Sequence, residues 1–218
     1  MRLRRLRAAS TRLRALSQRA GGRDRYELHP RWSSLEELIR EAQSWPNGLC
    51  VDLGCGFSKP SGFIGLDNLE GFRAQIPDKE NAPDILCDLN RSPFPFPDKS
   101  VDEVRSSHFL EHSLLDHVID ESFRILRPEG TKLFAVPYAN SAEGMYPGHQ
   151  IFLTEKWFFE NRNFQRKFEI VEIEYTRSEY WDQLPAPLRE LWPFDVARKH
   201  LFNVCSQMIV TARPRVGA

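Results

Sequence analysis

Residues 49 to 67 constrain this chain more than any other stretch. They read Leu49-Cys50-Val51-Asp52-Leu53-Gly54-Cys55-Gly56, then Phe57-Ser58-Lys59-Pro60-Ser61, then Gly62-Phe63-Ile64-Gly65-Leu66-Asp67. An apolar run with an acid near its end breaks into Gly-x-Gly, and a second apolar run follows that stops on another acid. Two parallel strands joined beneath a ligand have this pattern. Glycines at 54 and 56 allow backbone conformations closed to other residues, and a carboxylate at the tip of the second strand can accept both hydroxyls of a ribose. The stretch therefore predicts a nucleoside-binding crevice with Asp67 as its ribose acid. Lys59 stands where a dinucleotide fingerprint would have its third glycine, which disfavours a nicotinamide cofactor. Nine residues separate Leu53 from Phe63. That is too few for a crossover helix, so a bare loop is expected.

Further elements follow from periodicity. Leu35, Leu38, Ile39 and Ala42 recur at helical spacing behind Ser33 and Ser34, with Glu36 and Glu37 in the first turn and Pro46-Asn47-Gly48 at the end. Residues 68–83 are polar and read as irregular. Strands are expected at 84–88, 100–107, 131–137, 168–175 and within 200–212. Pro93-Phe94-Pro95-Phe96-Pro97 can be neither helix nor central strand and reads as a rigid loop with two aromatic anchors. Ser113 with Asp116 reads as a capping box. It opens a helix with Leu115, Val118, Ile119, Ser122, Ile125 and Leu126 as its buried stripe and Pro128-Glu129-Gly130 as its close. Another helix is expected over 153–161 behind Thr154. Residues 180–199, with Pro185, Pro187 and Pro193, read as an insertion over the open face.

Six blocks now stand in order: Val51-Asp52-Leu53-Gly54-Cys55-Gly56; Asp67; Asp88-Leu89; Phe96-Pro97-Asp98-Lys99-Ser100-Val101-Asp102-Glu103-Val104; His108-Phe109-Leu110-Glu111-His112; and Arg124-Ile125-Leu126-Arg127-Pro128-Glu129-Gly130. Their order and spacing, from residue 49 to 137, resemble a class I S-adenosylmethionine-dependent methyltransferase. The resemblance implies an α/β fold: a Rossmann-like, open, mostly parallel sheet of about seven strands, the last antiparallel, with helices on both faces. It also implies S-adenosylmethionine as cofactor, held by Asp52, Gly54, Cys55, Gly56, Asp67, Asn68, Asp88, Leu89 and Ser107, with Asp88 near the adenine amine. The bare crossover departs from the family, in which a helix lies beside the glycine loop. One domain over 26–218 is expected, with its core at 49–137 and a cap at about 138–199.

A sulfonium methyl is already electrophilic, so the protein has to align a nucleophile with it and exclude water; a base is needed only for a protonated acceptor. His108 follows the fourth strand directly and is a candidate for a catalytic or orienting role. His149, in a loop expected to arch over the same face, is a second candidate. His112 resembles a histidine common in the family that steadies its loop, and is the third. Tyr138 and Tyr146 could wall the acceptor site or simply pack. His108-Phe109-Leu110-Glu111-His112 also matches H-x-x-E-H, the inverted zinc-protease signature. His108 should still be leaving a strand, so the two imidazoles would not share a helical face, and no metal site is expected.

Charge divides the chain. Lys and Arg number 30 against 30 Asp and Glu, yet residues 1–25 hold nine arginines and one aspartate, about +8, leaving about −8 for the remainder. Leu3, Leu6, Leu13 and Leu16 recur among those arginines. The leader can be a disordered extension, an amphipathic membrane contact, an import signal or a nucleic-acid contact. An acidic body makes nucleic acid an unexpected substrate. No apolar run approaches the roughly 20 residues that span a bilayer. Cys50, Cys55, Cys87 and Cys205 form no C-x-x-C pair and read as small core residues of a reducing compartment. The expectation is a cytoplasmic enzyme, at or near a membrane surface, with organelle import as the alternative. It methylates an oxygen or nitrogen of a small molecule or a glycan or lipid precursor. The competing reading is a non-catalytic nucleoside-binding or partner-binding module on the same fold.

Overall fold

Val51, Leu53, Ile64, Leu66 and Ile85 are fully buried, as strands covered on both faces require. In the computed structural model, which describes residues 26–68 and 81–215, they belong to one eight-stranded sheet. The strands are β1 (Tyr26–Leu28), β2 (Cys50–Leu53), β3 (Ile64–Asp67), β4 (Ile85–Cys87), β5 (Val101–Ser107), β6 (Leu126–Pro137), β7 (Phe168–Arg177) and β8 (Cys205–Pro214). Their order is β1-β4-β3-β2-β5-β6-β8-β7. Strands β4, β3, β2, β5 and β6 run parallel, while β8 is antiparallel to β6 and β7, and β1 to β4. The expected strands are all present, and β1 adds an eighth. Chain direction across the sheet reverses about β2, whose neighbours are β3 and β5. A topological switch point of this kind opens a crevice at the carboxyl ends of the strands. The leader at 1–25 and most of the irregular stretch at 68–83 lie outside the described residues.

Helix α1 (Leu35–Ala42) is capped as its sequence predicts. Ser34 Oγ accepts from Glu37 N at 3.1 Å, and the Glu37 carboxylate takes the Ser33 amide at 2.9 Å. Helix α2 (Leu115–Ile125) departs from expectation at both ends. Its N-cap is Leu114, with no side-chain cap. Buried Ser113 donates its hydroxyl to Leu110 O at 3.0 Å instead, and Asn90 Oδ1 takes the Leu114 amide at 2.6 Å. The capping box at Ser113 and Asp116 is therefore not formed. At the other end Leu126 already pairs with Val101, so 127–130 continue the strand through a register shift rather than closing a helical turn.

The crossover from β2 to β3 carries no helix. Lys59 replaces that support: its Nζ reaches beneath the loop to Asp84 Oδ2 at 2.6 Å. Asp84 is almost fully buried and also accepts from Trp32 Nε1 at 2.9 Å, from Gly65 N at 3.0 Å and from Arg31. Burial pushes its carboxyl up, but Lys59, Arg31 and the Gly65 amide outweigh it and hold the pKa below the ordinary value. Phe94 and Phe96 anchor the proline loop in the core, and all four cysteines are buried and free. Among the described residues no helix is long and apolar enough to cross a membrane.

Beyond β6, the chain adds α3 (Glu155–Glu160) and α4 (Arg162–Lys167), then α5 (Glu179–Asp182), α6 (Ala186–Leu191) and α7 (Phe194–His200) before β8. Arg198 ties α7 to the core. It donates to Glu155 Oε1 at 2.9 Å and to Tyr138 Oη at 3.2 Å, and its guanidinium lies 3.5 Å from the Tyr175 ring centroid. Tyr138 is consumed by this packing and is not an acceptor wall.

Candidate active site

Gly54 and Gly56 turn the chain at the end of β2 with φ of +66° and +53°, a region in which a Cβ is strained. At Gly54 space is short as well, because a Cβ would stand 2.4 Å from two atoms of the Phe109 ring. The backbone bends back on β3: Gly54 N and Cys55 N both donate to Leu66 O, at 2.9 and 3.2 Å. Gly56 N then donates to Asp67 Oδ2 at 2.8 Å. Bend and acid are thus locked together across adjacent parallel strands.

A cleft of about 250 Å³ opens above them, lined by Gly54, Asp67, Asn68, Leu89, Asn90, His108, Phe109 and His112. Gly54, Asp67, Asn68 and Leu89 were expected there. Asp88 is exposed and does not line the cleft; its Oδ1 accepts the Asn90 amide at 3.0 Å, so its carboxylate serves its own turn. Ser107 pairs with Ala135 inside the sheet. The buried Cys55 side chain turns under the loop against Gly65, and burial pushes its thiol well up. Asp52 is buried below the cleft, bonded to Arg105 Nη1 at 2.8 Å.

Three histidines surround one carboxylate beside this cleft. His108 ends β5 in the left-handed region, φ 51°. Its amide donates to Ala135 O at 2.9 Å, and its Nε2 lies 2.8 Å from Gln207 Oε1. The ring is half exposed, with Nδ1 3.7 Å from Glu111 Oε1. Leu110–His112 form a 3-10 turn rather than an α-helix, so His108 and His112 do not share a helical face. His149 arrives from the loop after β6, with its ring centroid 4.7 Å from that of His112. The sequence pattern does not point to Asn90 or Gln207, and it marks Phe109 and Glu111 only as members of the segment 108–112. Phe109 reads locally as packing, and Gln207 lies 99 positions from His108.

Residues 51–134 match a family described as a methyltransferase domain. The matched span runs from β2 through the glycine bend and the histidine turn into β6. A fold similar to this one is found in an S-adenosylmethionine-dependent methyltransferase from Archaeoglobus fulgidus, with TM-score 0.57 and 18% identity over 82% of this chain and 92% of that one. The chain carries a methyltransferase domain on the fold of class I S-adenosylmethionine-dependent methyltransferases.

Two further folds similar to that of this methyltransferase mark the breadth of the architecture. One is a possible histamine N-methyltransferase from Thermotoga maritima, with TM-score 0.51 and 14% identity over 82% of this chain and 87% of that one. The other is the [4+2]-cyclase SpnF, with TM-score 0.51 and 18% identity over 93% and 92%. No curated protein sequence matches the chain. Folds this distant carry no acceptor.

The methyltransferase also buries a lysine under its site. Lys132 is fully buried, with Nζ 3.3 Å from Ser106 Oγ and 4.4 Å from the Phe134 ring centroid. Burial lowers its pKa to about 7 against the opposing pull of Asp52. Burial raises Asp52 in turn, with Arg105 working the other way.

Proposed function

We propose that this methyltransferase acts on an oxygen or nitrogen that still carries a proton, on a small molecule or a glycan or lipid precursor. The observation that carries this reading is His108, whose half-exposed ring stands at the end of β5 in the same cleft as Gly54 and Asp67. Gln207 Oε1 accepts from Nε2, which leaves the Nδ1 lone pair available to an acceptor hydroxyl or amine. His108 Nδ1 holds the acceptor and takes its proton.

The cleft residues suit the cofactor. The Asp67 carboxylate, already tied to Gly56, accepts the ribose hydroxyls, Leu89 gives the adenine an apolar wall, and the absence of a side chain at Gly54 lets the remainder approach the backbone closely. S-adenosylmethionine, when bound, supplies an electrophilic sulfonium methyl and leaves as neutral S-adenosylhomocysteine. The nine arginines of the leader against an acidic body suit an acceptor held at an anionic membrane surface in the cytoplasm.

The test is transfer of labelled methyl from S-adenosylmethionine to a panel of hydroxylated and amino acceptors, including nucleotide sugars and polyprenyl-linked saccharides. Label is expected on an oxygen or nitrogen; label only on carbon would overturn this reading.

A further inference from the structure

His112 donates Nδ1–H to Gly148 O at 3.1 Å, and His149 donates Nδ1–H to Gly144 O at 3.1 Å. A neutral imidazole that donates at Nδ1 has its lone pair at Nε2. Metal-ligating histidines are commonly held in this way, the far nitrogen bound to a carbonyl that fixes tautomer and ring plane. Beside them Glu111 is only 2% exposed, and among the described residues neither carboxylate oxygen finds a hydrogen-bond partner. His149 Nε2 stands 3.9 Å and His108 Nδ1 3.7 Å from Glu111 Oε1, both too far for such a bond. A buried carboxylate without a donor is costly, and lone pairs facing it add to the cost. A cation in their midst removes both penalties.

We infer that Glu111, His112 and His149 bind a divalent transition-metal ion. One donor atom from each lies within 4.8 Å of the others. Two imidazoles and a carboxylate suit zinc, iron or manganese rather than magnesium, and such a set leaves a coordination position open. Ligands at tetrahedral angles and about 2.1 Å from zinc stand roughly 3.4 Å apart, so loading draws the His149 loop inward. The H-x-x-E-H segment thus contributes Glu111 and His112, and a ligand 37 residues beyond His112 completes the set. His112 also lines the cofactor cleft. The open position is therefore placed to take an oxygen of the acceptor, a role that rests on the transfer reading above; binding of the metal does not.

The test is titration of the chelator-stripped full chain with Co2+ and with Zn2+, followed by calorimetry, cobalt absorption and melting temperature. One ion per chain is expected, with visible cobalt bands and a raised melting temperature. Affinity should fall at least about tenfold in His149→Asn and in Glu111→Gln. S-adenosylhomocysteine binding by the same variants reports that they are folded, and His149→Asn, on a loop, stands in if Glu111→Gln does not fold. No stoichiometric binding, or binding unaltered in a folded variant, overturns the inference. S-adenosylhomocysteine binding without metal binding sinks the metal site and leaves the transfer reading standing; the reverse result does the opposite.

Discussion

Gly56 gives its amide hydrogen to Asp67 Oδ2 at 2.8 Å, so the bend after β2 and the acid at the tip of β3 form one unit. A change to either residue should be felt at both.

Asp67→Ala removes the proposed ribose contacts and frees the Gly56 amide. Hydrogen bonds to a charged group contribute about 1.5–3 kcal/mol each, so affinity for S-adenosylhomocysteine should fall more than about tenfold by calorimetry. An unaltered affinity would count against Asp67 as the ribose acid.

Gly54 and Gly56 should respond differently to alanine. Both have positive φ, yet a Cβ at Gly56 meets nothing within 4 Å, whereas at Gly54 it collides with the Phe109 ring at 2.4 Å. Gly56→Ala should lower stability by the strain alone, about 1–2 kcal/mol. Gly54→Ala adds overpacking of about 1–3 kcal/mol and should also impair cofactor binding. Denaturant melts of the two variants check the order.

Lys132 makes stability depend on pH. Its folded pKa, lowered by burial to about 7, lies below the roughly 10.4 of an unfolded lysine. Between those values the unfolded chain holds a proton that the folded chain lacks, so unfolding free energy should rise with pH across this window. Lys132→Met should flatten that rise and stabilise the protein most at or below pH 7. Denaturation midpoints of both proteins across the window give the comparison, and parallel curves would contradict it.

His108→Ala should cut methyl transfer by about a hundredfold with little change in S-adenosylhomocysteine affinity. Single-turnover rates beside calorimetry separate the two quantities. A loss confined to cofactor affinity would move His108 from the acceptor to the cofactor.

Much of this was legible locally. Strands β2, β3 and β4 are buried on both faces and read as short apolar runs, and the nine-residue crossover excludes a helix by length alone. Gly54, Asp67, Asn68, Leu89, His108 and His112 could be placed because each sits at a strand end or the turn that follows. What escaped was non-local or too short to show a period. Strand β1 has three residues. Ser113 lost its capping role to a carbonyl three residues back. Asp88 turned onto its own loop, leaving Asn90 in the cleft. His149 meets His112 only through the fold, and no spacing along the chain announces that contact.

The most direct measurement is a calorimetric titration of the purified full chain with S-adenosylhomocysteine. A class I methyltransferase that grips its cofactor by the Gly56–Asp67 unit predicts saturable one-site binding that weakens in Asp67→Ala. No heat and no rise in melting temperature at millimolar ligand would contradict it.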